Sequence, residues 1–194
     1  MLAVIAAGGP SLRREDVESC RDRAFLIVIN DTWQMAPWAD VLYAADYGWW
    51  LRRRPPVFAG DKYGCNNQNI AQFGVTVLKS LGYLGWSDDP NAVYAGGHSG
   101  FQAIQMVASR YGAKQIALLG YDLKADANGN KNWYENRKTK PFDRWLDTYA
   151  TLASAAKTRG IEIVNCSRDT ALTAFPRQSL AEVLCDLPRS ALRA

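Results

Sequence analysis

Histidine and closely spaced cysteines are scarce in this sequence. It contains a single histidine, His98, and four cysteines, Cys20, Cys65, Cys166 and Cys185, with no Cys-x-x-Cys pair. Structural zinc sites need such ligands at short spacings, so this pattern argues against a zinc-bound fold. Reduced thiols are the expected state of these cysteines in a cytoplasmic protein.

Long apolar runs and concentrated charge are also missing. The apolar runs fall well short of the roughly 20 residues that cross a bilayer. The first run, Leu2–Ala7, has no basic segment before it, so we expect no signal peptide, no membrane span and a cytoplasmic protein. The net charge is only +4, whereas nucleic-acid-binding proteins usually concentrate their charge more strongly. The basic run Arg52–Arg54 is either a solvated loop or a contact for an anionic ligand or nucleic acid.

Short apolar runs alternate with helical patterns, which is typical of parallel α/β proteins. We expect one domain over residues 1–187 and a frayed tail over 188–194. The predicted fold is a single-domain, three-layer α/β/α, Rossmann-like arrangement around a mainly parallel sheet of about six strands. The predicted strands are 2–6, 25–29, 41–45, 115–119 and 161–164, with 57–59 and 75–78 as further possibilities. We expect residues 57–89 to form a cap over the sheet edge.

The stretch from Tyr94 to Asp122 carries the clearest local signals. A glycine-rich turn with His98, Ser99 and Gly100 opens an amphipathic helix that Gly112 ends. The apolar run 115–119 then predicts a buried strand that brings Gly120 and Asp122 to its carboxyl end, where open α/β sheets bind ligands.

The first two predicted strands also end in residues suited to a ligand. Gly8, Gly9 and Ser11 follow the first strand, and Ser11 is a candidate N-cap for a helix that runs to about Cys20. Free N–H groups at such a helix start suit a phosphate, although a turn that binds nothing is the alternative. The second strand ends at Asn30-Asp31-Thr32, which either holds a ribose or base edge or caps the next turn.

Residues 124–140 form a polar stretch that is long for a loop. Loops of this length in compact domains are usually functional or disordered. Because Trp133 and Tyr134 argue against plain disorder, we expect a mobile lid over the crevice. Asp126-x-Asn128-Gly129-Asn130 lacks the spacing and the closing glutamate of a calcium loop.

Two blocks resemble a known enzyme group. Ala6-Ala7-Gly8-Gly9-Pro10-Ser11-Leu12 is similar to the G-x-G-P-S-L turn of bacterial CMP-sialic-acid-dependent sialyltransferases and the related 6-hydroxymethylpterin diphosphokinase MptE-like group. Ser99-Gly100 and Gly120-Tyr121-Asp122 resemble the second shared block. The order of these blocks, with Asn165 and Phe175-Pro176 after them, is similar to small phage-borne members.

This resemblance implies that Gly8, Gly9, Ser11, Asn30, Ser99, Gly100, Gly120 and Asp122 bind a nucleotide. The chain departs from the sialyltransferases at three functional positions. Their second asparagine falls near Ala44, their arginine falls at Gly96, and the loop with their catalytic histidine contains none here. Sialyl transfer itself is therefore less well supported than nucleotide binding.

Three side chains are candidates for chemistry. His98 lies at a helix start, where the dipole favours the neutral imidazole that a general base needs, or else it only hydrogen-bonds the turn. Asp122 and Glu135 are the carboxylate candidates, and Asp122 with Asp126 and Asp46 is the set that magnesium would need.

The leading hypothesis is a glycosyltransferase-like enzyme that uses a nucleotide-activated sugar donor and an unknown acceptor. We expect no resident cofactor for that reaction, and a homo-oligomer is possible. The first alternative is a magnesium-dependent pyrophosphokinase of the 6-hydroxymethylpterin type. The second alternative is a phage-associated protein that binds a nucleotide without catalysis, which would suit the three departures from the family pattern.

Overall fold

The described residues form an α/β structure around one parallel sheet of eight strands. The computed structural model describes residues 1–53, 58–65, 67–134 and 142–185. The strands are β1 (Leu2–Ala6), β2 (Phe25–Ile29), β3 (Val41–Tyr43), β4 (Asp61–Cys65), β5 (Thr76–Ser80), β6 (Ala92–Val93), β7 (Gln115–Leu119) and β8 (Glu162–Asn165). The helices are α1 (Arg14–Glu18), α2 (Tyr47–Arg53), α3 (Ser99–Tyr111), α4 (Asp143–Thr158) and α5 (Leu180–Cys185), with 3-10 turns at Asn30–Gln34 and Gln68–Phe73.

The strand order is β6-β5-β4-β3-β2-β1-β7-β8, and every pairing is parallel. From β1 the chain adds strands on one side as far as β6. It then crosses back through α3 and places β7 on the other side of β1, with Ala6 opposite Leu119. The direction of strand addition therefore reverses between β1 and β7, which makes their carboxyl ends the switch point of the sheet.

Alternate residues of the central strands face opposite layers, as the two-residue period of a strand requires. Ile5, Ile27 and Leu118 join one buried cluster, which includes residues of α3 and α4. Val4 and Val28 join the other, with residues of α1, α2 and α5. The predicted three-layer arrangement is confirmed.

The sheet extends two strands further than the sequence predicts. Residues 61–65 form β4 and residues 92–93 form the short β6, neither of which the sequence analysis predicted as a strand. In the described part of segment 57–59, Phe58 and Ala59 are not in a strand. The expectation that residues 57–89 form a cap over the sheet edge was wrong, because β4 and β5 of this segment pair in the plane of the sheet.

Helix α3 is the most deeply enclosed helix of those described. Every residue from Ser99 to Val107 is buried, including Gln102 and Gln105. It ends at Gly112, whose φ of 68° is the left-handed conformation predicted for a helix stop. Burial on all sides fixes where the first turn of α3 lies relative to the carboxyl ends of the strands.

Candidate functional site

The turns after β1 and β7 lie side by side at the switch point. The Ala7 amide donates to the Leu119 carbonyl at 2.8 Å, and the Gly9 amide donates to the Gly120 carbonyl at 2.8 Å. Parallel pairing thus continues past the strands and brings the predicted glycine turn against Gly120 and Asp122.

Asp122 holds this glycine turn in place. Its carboxylate accepts from the Ser11 amide at 2.6 Å and from the Ser11 hydroxyl at 2.8 Å. The prediction that Ser11 caps a helix was wrong: α1 begins at Arg14, after an N-cap at Arg13, and the Ser11 hydroxyl accepts from the Asp169 amide rather than from an amide of α1. The phosphate argument from a helix start adjacent to Ser11 fails with it.

The Asp122 carboxyl differs from an ordinary aspartate in its burial and in its pKa. It is only 2% exposed, and burial raises its pKa to about 6 against the opposing effect of the Ser11 hydrogen bonds. Nearby, Lys124 forms an ion pair with Asp169 at 2.5 Å, and the Asp169 amide donates to the Ser11 hydroxyl at 3.3 Å. The carboxylate is therefore tied into the protein's own turn.

Gly9 is required by the closeness of these two turns. A Cβ at this position would lie 2.3 Å from Asp122 Oδ1 and 2.5 Å from the Gly120 carbonyl oxygen. Both distances are far below van der Waals contact, and a backbone oxygen cannot rotate away. Only glycine fits where the β1 turn crosses the β7 turn.

Asn30 carries one of three buried side-chain atoms for which the described residues provide no hydrogen-bond partner, the others being Nε1 of Trp33 and Nε1 of Trp38. It lies directly after β2 with a φ of 51°, a left-handed conformation that asparagine tolerates better than most residues. Its Oδ1 is buried, and no hydrogen-bond partner for it is found among the described residues. A buried oxygen without a donor is costly, so a ligand that supplies one would be stabilised here.

Asp31, the next residue, is used for structure. Its carboxylate accepts from Trp49 Nε1 at 3.0 Å and from Gln34 Nε2 at 3.1 Å, and it pairs with Arg53 Nε at 2.5 Å. These contacts fasten α2 to the turn after β2. Of the two roles left open for this turn, Asp31 takes the structural one.

The first turn of α3 is close to the same edge of the sheet, but polar groups of its first two residues already form hydrogen bonds within the protein. The Ser99 hydroxyl accepts from the Ala45 amide at 3.0 Å, just after β3. The Gly100 carbonyl accepts from the Tyr121 hydroxyl at 3.0 Å, which links this turn to the β7 turn. Ser99 and Gly100 therefore join the carboxyl ends of β3 and β7.

His98 caps α3 with both of its ring nitrogens engaged. Nδ1 accepts from the Gly100 amide at 3.2 Å, so the proton of the neutral ring is on Nε2, 2.8 Å from the Tyr149 hydroxyl. Burial lowers the pKa of His98 to about 3, although part of the residue still reaches the surface. This geometry favours a capping role over that of a general base.

The remaining carboxylates do not complete a metal site in the part of the chain that can be described. Asp126 accepts from the amides of Asn128 and Asn130 in its own loop, and Asp46 is exposed. Within residues 1–53, 58–65, 67–134 and 142–185, no group of three or more His, Cys, Asp or Glu side chains is placed to hold a metal. Glu135, the third catalytic candidate, lies outside the described residues.

Two glutamines of α3 were missed by the sequence analysis, and Thr32, which was named there, links two strand ends. The Thr32 hydroxyl donates to the Ala7 carbonyl at 3.0 Å and joins the β1 and β2 turns. The Gln105 side chain bonds the backbone of Ser87 and Tyr94, and Gln102 bonds the Tyr43 hydroxyl. Gln102 and Gln105 lie off the apolar stripe of the predicted helix, so the helical pattern gave no signal that they are buried.

Part of the predicted lid lies over the glycine turn. The Trp133 amide donates to the Gly8 carbonyl at 3.1 Å, and the ring packs against the buried cluster that contains Val4. Of the predicted lid, Asn132, Trp133 and Tyr134 thus lie on the glycine turn, while a mobile lid over the crevice stays a prediction.

A cavity of about 140 Å³ lies at the opposite edge of the sheet. Leu2, Gln115 and Glu162 line it at the amino ends of β1, β7 and β8. Open parallel sheets bind ligands at the carboxyl ends of their strands, so this cavity is not the candidate site.

Comparison with known proteins does not assign a family to this geometry. No family model, no curated protein and no solved structure matches the chain. In the described part of the chain, no helix combines the length and the apolar composition of a bilayer span. Function therefore has to be inferred from the residues at the carboxyl ends of the strands.

Proposed function

We propose that this protein binds a nucleotide at the carboxyl ends of β1, β2 and β7, and that the nucleotide is the carrier of an activated sugar in a glycosyltransferase-like reaction. The buried, unpartnered Oδ1 of Asn30 is the observation that carries the binding proposal. It lies at the end of the strand next to the switch point, where a nucleotide's hydroxyl or amino group would donate to it.

The glycine turn supplies the second half of the proposed site. Gly8 has no side chain, so a phosphate can approach its backbone closely. Gly9 supports the turn from behind, because its amide bonds to the Gly120 carbonyl and Asp122 fills the space beside its Cα. Asp122 and Ser11 keep this turn in one conformation through the hydrogen bonds at 2.6 and 2.8 Å. In this proposal Asp122 organises the turn, and the turn contacts the phosphates.

The transferase part of the proposal depends on the resemblance to the sialyltransferase group. Sugar transfer needs a group that takes the acceptor's proton. His98 is poorly suited, because both ring nitrogens are engaged within the protein. That observation favours one second candidate, a nucleotide-binding protein without catalysis. No comparable observation favours the magnesium-dependent pyrophosphokinase.

Thermal unfolding with added nucleotide tests the proposal. Wild type and Asn30→Gly are titrated with CMP, UDP, GDP and ATP, each with and without magnesium. Glycine removes the unpartnered side-chain oxygen of Asn30 but adopts the same left-handed backbone, so the variant should stay within about 1 kcal/mol of wild type in stability. A nucleotide at 100 times its Kd stabilises the wild type by about 2.7 kcal/mol.

Without metal, CMP or another of these nucleotides should stabilise wild type. Asn30→Gly should bind the same nucleotide at least tenfold more weakly. Asn128→Ala is the matched control, because Asn128 is an exposed asparagine in the loop beyond β7. Stabilisation by magnesium-ATP alone would favour the pyrophosphokinase. No shift with any nucleotide at millimolar concentration would reject the site.

A further inference from the structure

The segment Asn132–Tyr134, which we call the strap, lies directly on the glycine turn. A Cβ at Gly8 would be 2.9 Å from Tyr134 Cε1 and 3.4 Å from Asn132 Oδ1. The backbone of the strap is bonded there as well, from the Trp133 amide to the Gly8 carbonyl at 3.1 Å. A phosphate oxygen placed on this side of Gly8 would overlap these atoms.

A second contact fastens the strap to the next strand. Trp133 Nε1 donates to the Thr32 hydroxyl at 3.3 Å. Thr32 is fully buried, and its own proton is committed to the Ala7 carbonyl at 3.0 Å, so its oxygen is oriented to accept. The Trp133 ring therefore anchors the strap to the ends of both β1 and β2.

Thr32 lies in the same turn as Asn30, whose side-chain oxygen has no partner among the described residues. Thr32 follows Asn30 by two residues in the 3-10 turn after β2. A ligand that reaches both Asn30 and Gly8 therefore meets the strap between the two strand ends. Unlike a loop that merely lies above a crevice, the strap contacts the surface that the ligand would use.

We infer that the strap occludes the glycine turn in the free protein, with Trp133 and Thr32 as its latch, and that a ligand binds only after Asn132 and Tyr134 move off Gly8. The occlusion itself follows from the contacts, while its consequence for nucleotides rests on the proposed function. The latch then lowers the apparent affinity by the fraction of molecules in which it is open.

Trp133→Phe tests the latch, because it removes the Nε1 donor and keeps an aromatic ring. Loss of one such hydrogen bond should raise the open population about fivefold. Trp38→Phe is the matched control: Trp38 packs against the same buried cluster, but its Nε1 is buried without a partner among the described residues. Neither substitution changes Asn30 or the glycine turn.

Hydrogen–deuterium exchange without ligand is the first measurement. In Trp133→Phe, the amides of the strap, among them the amide of residue 133 that donates to the Gly8 carbonyl, should exchange about fivefold faster, with no change in Trp38→Phe. Unchanged exchange in Trp133→Phe would overturn the latch.

Titration with CMP is the second measurement, and it separates the two proposals. Trp133→Phe should bind CMP up to about fivefold more tightly than wild type and Trp38→Phe. Weaker binding by Trp133→Phe would make the strap part of the binding surface and overturn its role as an occluding element. Faster exchange of the strap, with no binding of CMP, UDP, GDP or ATP by any variant, would leave the occlusion supported and the proposed function refuted.

Discussion

Replacement of Asp122 by Asn should change how the stability of the protein depends on pH. The pKa of this carboxyl is raised by burial from an ordinary 3.8 to about 6 in the folded protein. A raised folded pKa means that Asp122 favours folding most below pH 3.8, and that this contribution is lost as the pH rises through about 6. This rise in the pKa of Asp122 corresponds to about 3 kcal/mol of unfolding free energy. The side chain is too buried for solvent screening to reduce that energy much.

The assay is urea unfolding of wild type and Asp122→Asn at several pH values from 4 to 7. Asn at position 122 does not titrate, so the difference in unfolding free energy between the two proteins isolates the carboxyl. The stability of wild type relative to the variant should fall by about 3 kcal/mol across this range. A constant difference would refute the raised pKa, and a rising one would show that the Ser11 hydrogen bonds outweigh burial.

Two further substitutions test the packing and the capping of the site. Gly9→Ala should lose about 3 kcal/mol of stability or more in urea unfolding, since its Cβ would lie 2.3 Å from Asp122 Oδ1. The control Gly48→Ala should gain about 0.5 kcal/mol, because its Cβ meets only the end of the Arg52 side chain at 3.2 Å. Equal effects of the two substitutions on stability would contradict the close approach at Gly9. His98→Asn should remove a contribution to stability that is lost in acid, because burial lowers the pKa of His98 in the folded protein from 6.5 to about 3. The unfolding free energy of wild type relative to the variant should fall by about 3 kcal/mol between pH 7 and 4. A difference that does not change with pH would show that His98 titrates normally.

The parts of the fold with continuous apolar sequence were predictable. β1, β2 and β7 are buried on both faces, and such strands are recognisable as uninterrupted apolar runs. β4 was missed because Lys62 and Gly64 interrupt its run. A Cβ at Gly64 would lie 2.8 Å from the Ala44 carbonyl oxygen and 2.3 Å from Ile70 Cδ1, a tertiary requirement that the local pattern does not reveal.

The candidate site was predictable in position but not in the roles of its residues. Strand ends identify Gly8, Asn30 and Asp122, because parallel strands bring their carboxyl ends to one edge. The pairing of Asp122 with Ser11 spans 111 positions of sequence, and no local pattern predicts it. The same holds for His98, whose glycine-rich turn fits a cap and a base equally well until Tyr149 is placed beside it.

Amide chemical-shift mapping during a CMP titration of the wild-type protein tests the central claim most directly. Binding at the switch point should shift the amides of Gly8, Gly9 and Asn30, with further changes in the strap as it moves. Shifts confined to the opposite edge of the sheet, around Gln115 and the cavity there, would contradict the proposed site. So would a spectrum that does not change at millimolar CMP, UDP, GDP or ATP.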